Sequence, residues 1–511
     1  MCSIQDGDVP LEKPKVEKSV GRKCLKCKKE PAVLITRVND AFCRSCFQVY
    51  VTHKFRAAIG KTKLVRDGET ILVAFSGGSA SAALLHLIQE GLSQRAHKKL
   101  RFTPGVLFID EGGSTCQTVE ERKSSCDHVK TILQKSGFPF HIAALEEGLN
   151  MSTFKGRLPE SMTLGHSFTS VNKSDSIPNE TNHGQNKGTL LESQPSKCDK
   201  EDLESHVISK DNQPLRVDSG LGSQLRQLLD SVKSVSGKED LIQTLRHQML
   251  YEAARHCGYS KVMLGSCGTR LAVRLLTDIS TGRGMHAAME CAFADKRHKY
   301  MLFLRPLRDF STKEIAMYNS LHNVETVFTP KLTTKGNVGA SIEHLTESFV
   351  TGLQAEYLST VSNIMRTGEK LDSTPESSSE NSCALCQGIL DTDVGVSSAL
   401  SALEFSRQIS TGKNAIVKKG GNSCGKSDIK GDNSSSTVEC CGEGDGSCQS
   451  SVSKRPSCDQ VTSRLCYGCR IVANEMEDIN TFPDFVFDTV SRQARRSDMK
   501  AEIEDFLLTD S

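Results

Sequence analysis

The sequence has no run of about 18 apolar residues, the least that a membrane-crossing helix needs, so no membrane contact is expected. It also has little net charge: 64 basic side chains against 62 acidic ones leave +2 over 511 residues. A balance this even gives no global field, and any contact with nucleic acid must come from local basic clusters. The opening residues Met1-Cys2-Ser3-Ile4-Gln5-Asp6 are neither basic nor followed by an apolar segment, and a soluble protein without a signal peptide is expected. The turn at Gly77-Gly78 lacks the lysine and the longer glycine spacing of a Walker loop, which excludes that kind of nucleotide site. Cysteine, in contrast, is abundant. Twenty cysteines in a long chain, many in Cys-x-x-Cys pairs, favour metal ligation over disulfides.

The stretch that organises the chain is Ile71-Leu72-Val73-Ala74-Phe75-Ser76-Gly77-Gly78-Ser79-Ala80-Ser81, followed by Leu84, Leu85, Leu87 and Ile88. An apolar run, two glycines with small hydroxyl residues and then a helical period read as strand, tight loop and helix. Glycine permits positive φ and close backbone approach, and the free N–H groups of the helix start face outward with the positive end of its dipole. Such a turn suits a phosphate. Ser76, Gly77, Gly78, Ser79 and Ser81 are the candidate nucleotide-loop residues, and the string resembles the Ser-Gly-Gly-x-Asp-Ser pyrophosphate loop of the ATP-pyrophosphatase superfamily. Ala80 stands where that pattern has aspartate, so a carboxylate that would help hold magnesium is missing.

Two cysteine sets have the spacing of tetrahedral zinc sites. Cys24-Leu25-Lys26-Cys27 is followed after fifteen residues by Cys43-Arg44-Ser45-Cys46. Cys383, Cys386, Cys466 and Cys469 form the second set across a Ser-, Gly- and Lys-rich stretch, which is tolerated because loop-closure entropy grows only logarithmically. Cys424, Cys440, Cys441, Cys448 and Cys458 read as spare thiols. Arg22, Lys23, Lys26, Lys28, Lys29, Arg37 and Arg44 make the first module basic, which reads either as a solvated surface or as the clustered cations that RNA-backbone contact needs.

The fold class expected is α/β: a doubly wound parallel sheet flanked by N- and C-terminal zinc-binding modules, with disordered insertions. The plan is a flexible tail at 1–20, a zinc module at 21–56, the α/β core at 57–149 and 238–366, and a second zinc module at 367–410 and 461–511. Polar composition marks 150–237 as a mostly disordered insertion, with a short helix at 221–229, and 411–460 as a low-complexity loop. Strands are expected at 106–110, 140–144, 261–264 and 300–308, with helices at 117–136, 240–256 and 342–366. A capping box at Ser311-Thr312-Lys313-Glu314 starts another helix. On the 342–366 helix, Leu345, Phe349, Leu353 and Tyr357 read as a core stripe. His141 reads as a packing residue, and so does Cys267, although a thiolate at a helix start is also a potential nucleophile. A strand or turn at Phe482 followed by a charged helix closes the chain.

The cysteine pairs, the Ser76-Gly77-Gly78 loop, the edges Ile109-Asp110-Glu111-Gly112 and Leu264-Gly265-Ser266-Cys267, Arg305-Pro306-Leu307 and the terminal Leu465-Cys466-Tyr467-Gly468-Cys469 together resemble the cytoplasmic tRNA 2-thiolation protein 2 family. The resemblance covers nearly the whole chain apart from the insertions. It implies an ATP-pyrophosphatase-like core, two structural zinc ions, a cytoplasmic location, and a heterodimer with a catalytic tRNA thiolation subunit. It also implies tRNA as a partner, with 2-thiolation of the wobble uridine U34 in tRNAs for Lys, Glu and Gln and sulfur delivered by a thiocarboxylated ubiquitin-related modifier. Two departures from the catalytic pattern stand out. Asp240-Leu241-Ile242-Gln243 occupies the place of a Cys-x-x-Cys, and Gly265-Ser266-Cys267-Gly268-Thr269 that of a His-Asn-x-Asp-Asp edge. No catalytic residue is therefore assigned, and ATP with magnesium is short of ligands. Two other readings stay open: an independently active ATP-dependent adenylating tRNA sulfurtransferase, and a zinc-ribbon scaffold without an RNA role.

Overall fold

A computed structural model describes residues 21–36, 40–94, 99–159, 162, 217–298, 300–334, 336–371, 382–391 and 455–503. The N-terminal tail, Arg37, the 163–216 part of the polar insertion and the 411–454 part of the low-complexity loop lie outside them, with Cys424, Cys440, Cys441 and Cys448.

Six strands form the central sheet: β3 (Thr70–Phe75), β4 (Thr103–Asp110), β5 (Phe140–Ala144), β6 (Lys261–Leu264), β7 (Ala294–His298) and β8 (Met301–Leu304). A separate pair, β1 (Leu34–Ile35) and β2 (Ala41–Phe42), belongs to the N-terminal cysteine module. The sheet order is β5-β4-β3-β6-β8-β7, parallel throughout except for the antiparallel edge pair of β7 with β8. The chain builds outward from β3 in one direction through β4 and β5, then returns to its other side with β6. The order thus reverses between β3 and β6, and in an open α/β sheet ligands bind outside the strand ends at such a point.

Alternation along the strands assigns two faces. Ile71, Val73, Phe75, Val106, Phe108, Met263 and Leu304 are buried on one side, against α1 (Arg44–Thr62), α2 (Ser79–Leu92), α3 (Val119–Ser136) and α9 (Thr312–His322). Leu72, Leu107, Ile109, Val262 and Phe303 are buried on the other, against α6 (Val235–His256) and the C-terminal helices. Both faces are covered, as parallel strands require. Expected boundaries recur closely: α3 starts on a Thr118–Glu121 capping box, α9 on the Ser311–Glu314 box, and α6 ends at Cys257 before Gly258, whose φ is +80°.

Several expectations need correction. The polar insertion is narrower than 150–237, because α4 (Met151–Arg157) and α5 (Ser219–Ser231) flank it and bury Met151, Phe154, Leu225, Leu228 and Leu229. α5 is the short helix expected at 221–229, longer at both ends, whereas averaged composition hid the short apolar period of α4. The helix expected over 342–366 is two, α10 (Ile342–Glu356) and α11 (Thr360–Gly368), broken at Tyr357 to Ser359. Its stripe is not core: Leu345 is 54% and Phe349 57% exposed, while Thr346 and Val350 on the neighbouring face are buried. The residue step from 349 to 350 is one of about 100° around the helix, which separates the two faces. α1 runs through the boundary set at 56, carrying the first cysteine module directly onto the sheet. The C-terminus needs none: of the strand or turn expected at Phe482 the turn is found, a short 3-10 turn at Ile479–Thr481, followed by the charged helix Asp484–Ile503.

At the end of β4 a buried ion cluster holds the sheet edge. Arg122 from α3 donates through Nε to Asp110 Oδ2 at 2.6 Å and through a terminal nitrogen to Glu146 Oε1 at 2.8 Å. Glu146 is fully buried, so removal of the arginine leaves two carboxylates without a counterion. Arg122→Met is expected to lower stability by about 3–5 kcal/mol, the usual cost of breaking a buried pair. A shifted urea midpoint at unchanged slope is the check.

Candidate functional site: the sheet edge and two cysteine clusters

Gly77, at φ +77°, turns the chain out of β3 and into α2, whose N-cap is Gly78. Ser76 and Ser79 are exposed, and Gly77 and Ser81 are buried. Ser81 Oγ donates its one proton to Gly78 O at 2.9 Å, so it accepts at 3.2 Å from Ser76 N and at 3.1 Å from the Ser76 hydroxyl. Both hydroxyl protons are spent inside the loop. An anion here would be met by backbone N–H groups of the first helical turn.

Three neighbours fix the turn from outside. Val327 N donates to Gly77 O at 2.9 Å, and a Cβ on Gly77 would lie 3.2 Å from Val327 Cβ. Asn319 of α9 donates to Ser79 O at 2.8 Å. Gly265, at the end of β6, lies so close that a Cβ there would stand 2.7 Å from Ser81 Cα, so only glycine lets the β6 edge touch the loop. The sequence places the loop and the Gly265 edge together correctly. It gives no signal for Val327 or Asn319, whose roles arise only from the packing of α9 on α2.

The carboxylates nearest this edge in sequence order are already paired. Asp110 is bound by Arg122, and Glu111 accepts from Arg246 Nε of α6. Asp240, in the segment without thiols, is buried and accepts from Arg283 Nε at 3.1 Å, with Arg274 at 3.6 Å. Cys267 is 1% exposed at the N-cap of α7 (Gly268–Ser280), with Thr312 Oγ1 3.5 Å from its sulfur. His141 is packed in β5, and burial pulls its pKa down to about 4, which keeps it uncharged.

Both cysteine quartets come together. The four sulfurs of Cys24, Cys27, Cys43 and Cys46 lie within 4.8 Å of one another, and so do those of Cys383, Cys386, Cys466 and Cys469. The two sites share one construction. In each, a knuckle bends back through an N–H bond to the first cysteine, Lys28 N to Cys24 O and Gln387 N to Cys383 O, both at 2.9 Å. Lys28 and Gln387 are left-handed, each at φ +57°. The second pair opens a helix: Cys43 is the N-cap of α1, and Cys466 that of the helix Tyr467–Glu475. The dipole at a helix start favours thiolates.

Four thiols this close cannot all ionise without a cation among them. Cys386 is held well below the usual thiol range by hydrogen bonds from Cys383, Cys466 and Cys469, while contacts to Cys383 and Cys386 push Cys466 and Cys469 up. In the first cluster Cys24 falls to about 6, burial being outweighed by the backbone N–H groups of Cys27, Cys43 and Lys26, and burial with Cys43 pushes Cys46 up to about 12. Thiols frustrated in this way fit a metal ion. The second cluster is sunk in the core, where Gly468 leaves room for Arg283: a Cβ on it would meet Arg283 Cγ at 2.5 Å.

A model of the family described as cytoplasmic tRNA 2-thiolation protein 2 matches residues 341–471. The Xenopus laevis cytoplasmic tRNA 2-thiolation protein 2-A is 36% identical over 538 residues, covering 99% of each chain. The Danio rerio protein 2 is 37% identical, again with 99% of each chain covered, and the Homo sapiens one is 34% identical over 100% of this chain and 99% of its own. This chain belongs to the cytoplasmic tRNA 2-thiolation protein 2 family. Among solved structures, the U34-tRNA thiolase NcsA of Methanococcus maripaludis, with its 4Fe-4S cluster, gives a TM-score of 0.43 at 13% identity, over 68% of this chain and 87% of that one.

Cys24→Ser and Cys386→Ser are each expected to remove one metal ion per chain, the first loosening α1 and the second exposing the opposite face of the sheet. Elemental analysis of the purified variants, alongside hydrogen exchange of the two modules, tests both effects separately.

Proposed function

We propose that this chain is the non-catalytic subunit of a cytoplasmic assembly that 2-thiolates the wobble uridine U34 of tRNAs for Lys, Glu and Gln. It pairs with a catalytic subunit that takes sulfur from a thiocarboxylated ubiquitin-related modifier, and it contributes tRNA binding and shape. The observation that carries this reading is the state of the sheet edge. The loop keeps its turn, yet Ala80 offers no carboxylate, Asp110 and Glu111 are tied to Arg122 and Arg246, and Asp240 is locked to Arg283 where a sulfur-carrying thiol would stand. Magnesium-assisted departure of pyrophosphate needs free oxygen ligands, and sulfur transfer needs a thiolate.

Zinc suits both clusters. Zinc–sulfur bonds of about 2.3 Å in a tetrahedron put sulfurs about 3.8 Å apart. Cys27 and Cys43 stand at 3.8 Å and Cys386 and Cys466 at 3.6 Å. A cuboidal iron–sulfur cluster spreads its four thiolates over four irons and so holds them farther apart. Tightly spaced sulfurs favour the single ion.

Exposed Lys23, Lys26, Lys28, Lys29 and Arg44 on the first module supply clustered cations for an RNA backbone. Leu345 and Phe349 present an apolar patch on α10 of the sort that a partner subunit covers. Leu345→Asp with Phe349→Asp is expected to reduce co-purification of the catalytic subunit at least tenfold while the chain keeps its melting temperature.

The decisive test is wobble-uridine thiolation in cells whose only copy carries Ser76→Ala. Thiolation within about twofold of wild type is expected. Its abolition, with normal protein level and intact pairing, would replace this reading by that of an adenylating sulfurtransferase.

A further inference from the structure

Where α2 packs on α9, three side chains with no part in the sites above converge. His86 and Glu90 lie one turn apart on α2, and His322 is the last residue of α9. One ring nitrogen of each histidine and one carboxylate oxygen of Glu90 lie within 4.8 Å of one another. All three residues are partly buried, and the two imidazole rings are 5.1 Å apart.

The hydrogen bonds around them fix where the protons are. Tyr318, fully buried on α9, donates its one hydroxyl proton to Glu90 Oε2 at 3.1 Å. Its oxygen, 2.7 Å from His86 Nδ1, must then accept, so the His86 proton sits on Nδ1 and the Nε2 lone pair is left over. A histidine oriented through one nitrogen by a polar partner, with the other nitrogen bare, is in the state that binds metals. His322 is held less tightly, with no hydrogen bond to Glu90. Its Nδ1 is 3.6 Å from Glu90 Oε1, and its Nε2 is buried with no hydrogen-bond partner among the described residues. A buried, unpaired imidazole nitrogen normally costs stability unless something accepts its lone pair.

We propose that His86, Glu90 and His322 form a binding site for a divalent transition-metal ion of the zinc type. Two imidazoles and one carboxylate are a ligand set that such ions accept, and three ligands leave a coordination position for water or another donor. A cavity of about 180 Å³ adjoins the site, lined among others by His86, His322, Gln89 and Lys135, with room for that donor. The carbonyl end of α9 adds negative potential beside the ion. The consequence for the loop is mechanical. An ion shared by α2 and α9 clamps the helix that begins at Ser79 to the helix whose Asn319 holds Ser79 O.

The test is titration of the full-length protein, its cysteine clusters loaded, with zinc chloride against a chromophoric chelator, for wild type, His322→Ala and Glu90→Gln. One equivalent beyond the cysteine-bound metal is expected in wild type, bound at least tenfold more weakly in either variant. Added zinc should raise the melting temperature of wild type and not of the variants. Cys24→Ser separates the two kinds of site, since it lowers the total metal and leaves this equivalent in place. Wild type that takes up no zinc beyond the cysteine clusters, or folded variants that bind it equally well, would overturn the assignment.

Discussion

Burial of both faces of a six-stranded sheet is the constraint on which the structure depends. Strand β3 alternates its side chains between two cores, so neither face tolerates water, and helices must close each one. The chain meets this demand with modules that are themselves small and would be weak alone. Helix α1 closes one face through Phe47, Val51, Phe55 and Ile59, and it begins at a cysteine cluster. On the other face Phe485, Val486 and Val490 pack into the same core as Cys383, Cys386, Cys466 and Cys469. The two clusters are thus anchors for opposite walls of one sheet, and their likeness in construction reflects one solution applied twice.

With the walls fixed, the strand ends converge on a loop whose shape is set by backbone contact and whose charges are internally neutralised. Gly265 pressed on Ser81 and Val327 bonded to Gly77 hold the turn without help from a ligand. The arginines do the reverse of what an open nucleotide site needs: they occupy the acidic groups beside it. A fold retained with its oxygen ligands committed elsewhere is suited to being a surface, and the apolar face of α10 and the cations of the first module are features of a surface.

Much of this was legible in the sequence, and the reasons are local. The run from Ile71 to Ser81 declares strand, turn and helix in adjacent residues; the Ser311–Glu314 box and the Cys-x-x-Cys pairs are likewise short-range signals. What escaped was set by long-range packing. The α10 stripe was misjudged because periodicity tells that a helix has an apolar side, not that Val350 faces the protein while Phe349 faces outward. The short helix α4 was diluted by its polar surroundings. The pairing of Glu111 with Arg246 joins residues 135 apart, and nothing near either one announces it. His86 and Glu90 share a helix face at a spacing of four, a legible pattern, but its third member lies on another helix.

The two cysteine clusters differ in one respect that geometry alone conceals, namely when each can form. Cys27 and Cys43 are 16 residues apart, whereas Cys386 and Cys466 are 80 apart. Closing the longer loop costs roughly 1.4 kcal/mol more in chain entropy by the logarithmic rule. It also cannot be completed until synthesis has passed Cys469. During translation the first wall of the sheet is therefore knotted early, while the second face, with Leu72, Leu107 and Phe303, has α5 and α6 against it but lacks the C-terminal helices until their segment arrives. The nascent chain spends that interval with the second core incomplete, which makes the supply of metal and the protection of an unfinished face a matter of timing as well as of affinity.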